Sequence, residues 1–205
     1  MLWINACDII SSTNKSVFVL VDVSQTYSVN VESAIRSTRM LTADLQTNDW
    51  IGFAQISSCS FSDSGLIFRE NLPSTPSKAA TTKTRIFSRL DAYTKEFKST
   101  NYTDIKGALR YATNELQQTK NDRKYIIIFS DMIEDVSSDC QTQNLEVDLS
   151  GYTVIASNII KSRKDERNPQ SYFDRLREWK EFVETSGGEW AVTTSSEQIS
   201  ELISY

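Results

Sequence analysis

At 205 residues, with 24% charged residues and only three prolines, the chain has the size and composition of one α/β unit with a sizeable core and no long linker. The net charge of −5, with no basic run or aromatic-interleaved basic stripe, argues against a nucleic-acid partner. Histidine is absent, which removes Ser-His catalysis and the usual nitrogen ligands of zinc.

Residues 1–15 read as an N-terminal segment, and residues 16–205 as the folded domain. Within the segment, Ile4-Asn-Ala-Cys7-Asp8 is similar to the end of a bacterial lipoprotein signal, although only six residues precede Cys7 and no basic n-region or full apolar stretch is present. That likeness implies a lipid anchor at Cys7, and with it a protein of the bacterial cell envelope; without it the expectation is cytoplasmic. Val17 to Val21 is a continuous, β-branched apolar run of the kind that forms a strand buried on both faces. It ends in Asp22, Ser24 and Thr26, hard oxygen donors placed where open α/β sheets bind their ligands. Val31, Ala34, Ile35, Thr38, Leu41 and Leu45 then share one helical face, and Asp49–Ile56 is a second strand. Only nine residues separate Ile56 from Leu66, too few for a crossover helix, so Leu66–Glu70 is expected as an antiparallel edge strand.

The polar stretch Ser74 to Thr84 leads towards a helix containing Ile86, Leu90 and Phe97, and Thr103 falls at or beside the start of the next helix, marked by Ile105, Ala108, Leu109, Ala112 and Leu116. A second apolar strand from Tyr125 ends at Asp131, and the fifth strand spans Tyr152–Ser157. Lys161-Ser-Arg-Lys164, offset at once by Asp165 and Glu166, reads as a solvated loop. Tyr172 to Val183 is an amphipathic helix closed by Gly187-Gly188, followed by a last strand, Trp190–Thr193, and a terminal helical segment, Glu197–Ile203. Cys59 and Cys140 both follow strands near the carboxyl edge of the sheet; they could pair in an oxidising compartment and would stay free thiols in a cytosol.

The turn Asp22-x-Ser24-x-Thr26, the later Thr103 and the strand-terminal Asp131 together resemble a von Willebrand factor type A domain with a metal-ion-dependent adhesion site. Thr26 stands where that pattern has a second serine, and its hydroxyl can still donate an oxygen. The resemblance implies a three-layer α/β/α, Rossmann-like fold: a mostly parallel six-stranded sheet with one antiparallel edge strand and helices on both faces. It also implies Mg²⁺, or Mn²⁺ or Ca²⁺, at Asp22, Ser24, Thr26, Thr103 and Asp131, with a position left for an acidic side chain of a partner protein. The site is further similar to that of bacterial exported type A domain proteins with an Asp-Val-Ser-x-Thr-Tyr turn. No catalytic residue is expected. The competing class is a haloacid dehalogenase-like Mg²⁺-dependent phosphatase, with Asp22 as nucleophile and Asp131 and Asp135 on the metal. Against it, Ser24 stands where a general acid is needed, and a serine cannot transfer that proton near neutral pH. No Gly-rich phosphate loop follows either apolar strand, which leaves nucleotide binding without a motif.

Overall fold

The computed structural model describes residues 14–61, 65–138, 140 and 146–204. The segment that carries Cys7 lies outside them. The strands are β1 (Lys15–Asp22), β2 (Trp50–Ile56), β3 (Leu66–Asn71), β4 (Arg123–Phe129), β5 (Tyr152–Ser157) and β6 (Glu189–Thr193). They form one six-stranded sheet in the order β3-β2-β1-β4-β5-β6. All neighbours are parallel except β2 and β3, whose antiparallel pairing confirms the expected edge hairpin.

The apolar run of β1 is central, with β2 on one side and β4 on the other, which is why it needs no polar alternation. Its successive side chains feed two separate cores. Val17, Val19 and Val21 pack with Ile51, Phe53, Ile127 and Phe129 beneath the helices α1 (Val31–Asp44), α2 (Pro76–Glu96) and α6 (Ser196–Ser204). Phe18 and Leu20 pack with Ile126, Ile128 and Val154 against α3 (Ile105–Gln117) and α5 (Gln170–Thr185). A one-residue slip would exchange the two sets, so register is fixed by both faces at once. The result is the expected three-layer α/β/α arrangement.

Two elements differ from the sequence reading. The polar stretch before Ile86 is itself helical, since α2 begins with Pro76 in its first turn and faces the core with Ala79 and Thr82 before Ile86. The Lys161–Glu166 region is not a solvated loop throughout. It contains a one-turn helix, α4 (Arg163–Arg167), whose N-cap Ser162 and Asp165 form a reciprocal capping box. Asp165 is buried and accepts hydrogen bonds from Arg175 Nη1 and Nη2, at 3.0 and 2.7 Å, pinning α4 to α5.

Candidate metal centre

The chain passes from β1 through α1 to β2 on one side, and later returns to β4 on the other, so β1 and β4 flank the point where strand order reverses. Crevices at such points are the usual ligand sites of open α/β sheets. Asp22 closes β1, and Asp131 lies two residues past the end of β4. Both carboxylates are buried, at 0% and 2% exposure, and neither has an ion-pair partner among the described residues.

Asp22 accepts the Ser24 backbone N–H at 2.7 Å on one oxygen and the Ser130 hydroxyl at 2.7 Å on the other. Burial pushes its carboxyl above the usual range, the two serines oppose that shift, and the negative Asp131 adds to it. The Thr26 hydroxyl donates to Asp131 Oδ2 at 3.0 Å and lies 3.1 Å from Ser24 Oγ, so Ser24, Thr26 and Asp131 are linked in a row. The other oxygen of Asp131 accepts the Ile133 N–H at 2.9 Å. Ser24 is buried and Thr26 exposed, which opens the row to solvent at one end.

Thr103 is brought to the same edge by backbone clamps. Thr100 forms a bridge with Ser24, with hydrogen bonds from Thr100 N–H to Val23 O (2.9 Å) and from Gln25 N–H to Thr100 O (3.1 Å). Thr103 and Asp135 exchange both backbone bonds, at 2.7 and 2.9 Å. Thr103 is itself buried, yet among the described residues its hydroxyl has no hydrogen-bond partner. The N-cap of α3 is Asp104, not Thr103. Its carboxylate accepts Gly107 N–H (2.9 Å) and Ser60 N–H (2.8 Å), and burial raises its pKa. A methyl at Gly107 would collide with that carboxylate. Asp135 meets the site through its backbone, with an exposed side chain.

Two participants escaped the sequence reading. Asp104 could have been found as the residue before the helical face. Ser130, which holds Asp22, carries no periodic signal. Of the two states open to the cysteines, the structure holds the paired one: Cys59 and Cys140 form a disulfide with Cα atoms 5.5 Å apart. It ties the Ser57–Ser60 turn, which binds Asp104, to the chain after Asp135, which binds Thr103. Among the described residues no three His, Cys, Asp or Glu side chains gather for a metal. Any cation here would therefore depend on hydroxyls as much as on carboxylates. The donors are all oxygen, the set that suits Mg²⁺, Mn²⁺ or Ca²⁺.

No protein-family model and no curated protein matches the chain in sequence. Solved structures do match in shape. A von Willebrand factor type A protein from Catenulispora acidiphila superposes over 93% of this chain and 41% of its own, with a TM-score of 0.57 and 10% identity. The fold is that of a von Willebrand factor type A domain. BatB from Bacteroides thetaiotaomicron shares this type A fold over 93% of this chain and 98% of its own, with a TM-score of 0.53 and 15% identity. The pilus adhesin SpaC from Lactobacillus rhamnosus GG shares it over 95% of this chain and 29% of its own, at 0.57 and 11%. The chain thus spans less than half the length of the first and third of these proteins and nearly all of the second.

Proposed function

We propose that the chain is a metal-dependent protein-binding module of the adhesion or scaffold kind. Asp22, Ser24, Thr26, Thr103 and Asp131 hold Mg²⁺, or Mn²⁺ or Ca²⁺, and an acidic side chain of a partner protein completes the ion's shell. One observation carries this reading: Asp22 and Asp131 are both buried and neither is paired with a cationic side chain among the described residues. Buried charge is ordinarily paired or bound to metal. Neutral hydroxyls make up the rest of the set, so the ion keeps positive character for a partner carboxylate. Pilus proteins among the structures of this fold are in keeping with an adhesive role. The Cys59–Cys140 disulfide suits an oxidising compartment, in keeping with export to the cell envelope. Lipid anchoring at Cys7 belongs to the same proposal and lies outside the described residues.

Calorimetric titration with Mg²⁺ or Mn²⁺ and thermal melts test the site. Binding to the native state should add about 2.7 kcal/mol of stability at a hundred times the dissociation constant. Asp22→Ala should abolish that gain while retaining a native circular dichroism spectrum. A folded wild-type protein whose melting ignores both metals at millimolar concentration overturns the proposal. We assign no enzymatic activity; metal-dependent turnover of a phosphate ester, lost in Asp22→Asn, would replace the binding module with a phosphatase.

A further inference from the structure

Beside the metal-facing loops lies a cleft of about 1200 Å³. Its lining brings Thr26 and Asp131 together with α4 and with α5 from Ser171 to Phe182. Trp179 and Phe182 are part of its lining. Small-molecule pockets are typically about 300–1,000 Å³ and more enclosed in apolar side chains, so this cleft is large for a metabolite and of a size to take a stretch of polypeptide.

The charges in the cleft fall into two groups. Lys106 is committed to Glu134 at 3.1 Å, and lies over the rings of Trp179 and Phe182. Arg175 is committed to Asp165, and Asp174 to Arg177. Lys161, Arg163 and Lys164 are exposed and have no carboxylate partner among the described residues, although Lys161 lies 5.7 Å from the Tyr172 ring. On the acidic side only Glu178 is left without a cationic partner there, once Asp131 is counted with the metal donors. A chain of net charge −5 therefore gathers three uncommitted cations at one place, next to its candidate ion. Their mount is fixed. The Ser162–Asp165 capping box, the Ser171 hydroxyl bond to Asp165 (2.8 Å) and the ion pair of the buried Asp165 with Arg175 hold α4 in place.

We propose that this cleft receives an acidic, extended segment of the partner protein. One carboxylate of the segment lies beside Thr26 and Asp131, and further Asp or Glu side chains meet Lys161, Arg163 and Lys164. The inference rests on the metal-dependent reading above and extends it by naming the partner's chemistry: several acidic residues in one strand of chain, not a lone one. Charge complementarity carries it, since uncommitted cations select against the wrong partner and speed encounter with the right one.

The probe is a fluorescein-labelled peptide of alternating Asp and Gly, read by fluorescence anisotropy with the intact protein in Mg²⁺. The variant Lys161→Gln/Lys164→Gln should weaken peptide binding about tenfold or more while calorimetry shows Mg²⁺ binding unchanged. Both substitutions are on the exposed surface, and a thermal melt confirms the fold. If the double variant holds the peptide as tightly as wild type while Asp22→Ala loses it, the cleft assignment is overturned and the metal site stands. If chelator and Asp22→Ala leave peptide binding intact but the double variant loses it, the metal-dependent reading falls and the cleft alone recognises acid. Failure of wild type to bind the peptide in Mg²⁺, or preferential capture of phosphatidylserine vesicles over the peptide, overturns the proposal.

Discussion

Asp104 contributes to the candidate site without belonging to its donor set. One carboxylate caps α3 through Gly107 and fastens the Ser60 turn, so its loss leaves a helix donor and a buried loop donor unsatisfied together. Asp104→Ala should cost about 2 kcal/mol in urea unfolding, and Asp104→Asn, which keeps an acceptor, much less. Gly107→Ala should cost at least about 1 kcal/mol for a different reason, because the new methyl displaces the capping carboxylate. Both changes should also weaken Mg²⁺ binding through the position of Thr103. Thr103→Ala should remove that binding with the melting temperature of the metal-free protein nearly unchanged, because its hydroxyl holds no other described group. These residues differ in how readable they were. Asp22, Ser24, Thr26 and Asp131 follow apolar strands, so strand recognition located them. Ser130 was hidden because a hydroxyl facing Asp22 across 108 positions of sequence has no local pattern.

At the scale of elements, strands and the edge hairpin were legible because long β-branched runs and a short connection leave few alternatives. The first half of α2 was not, since its core-facing residues Ala79 and Thr82 are small and do not stand out from the polar residues around them. The short α4 was written in Ser162-x-x-Asp165, but its significance depends on Arg175, supplied by another helix. The bidentate guanidinium holds the Asp165 carboxyl well below the ordinary carboxylate range. A depressed folded-state pKa stabilises above the unfolded value and is lost as the pH falls below it. The Asp165 contribution should therefore be complete near neutrality and decline below about pH 4. Asp165→Asn should destabilise the neutral protein by about 1.5–3 kcal/mol, since it removes the charge-assisted bonds between a buried carboxylate and the half-buried Arg175. Urea unfolding near neutrality and near pH 3 checks both parts, because the gap between variant and wild type should narrow in acid.

For the whole molecule, the disulfide closes a loop of 81 residues that contains β3, α2, α3 and β4. Chain entropy alone puts its stabilisation at about 4–5 kcal/mol, and measured disulfides more often give about 2–4. Reduction, or the Cys59→Ser/Cys140→Ser pair, should lower the denaturant midpoint accordingly. It should also weaken Mg²⁺ binding, because the bridge joins the two turns that clamp Asp104 and Thr103. Titration of the oxidised and reduced protein under the same conditions would show whether the two effects travel together. The pairing was beyond the sequence, which placed both cysteines at one edge of the sheet but could not bring their Cα atoms within bonding reach.

The far end of the sheet has its own logic. The Lys15 ammonium donates to the Ile203 carbonyl at 3.1 Å, and Arg123 donates to the same carbonyl at 2.8 Å. The first strand and the last helix are thus knotted together at one pole. The eight residues of β1 then run about 26 Å to the other pole, where Asp22 stands. Chain entering at Lys15 and leaving past Ile203 does so through a single doorway. The domain can therefore hang from a longer polypeptide like a bulb from its socket, inserted without cutting any strand. Whatever load or neighbour is attached there, the loops that carry Asp22, Thr103 and Asp131 lie at the opposite pole.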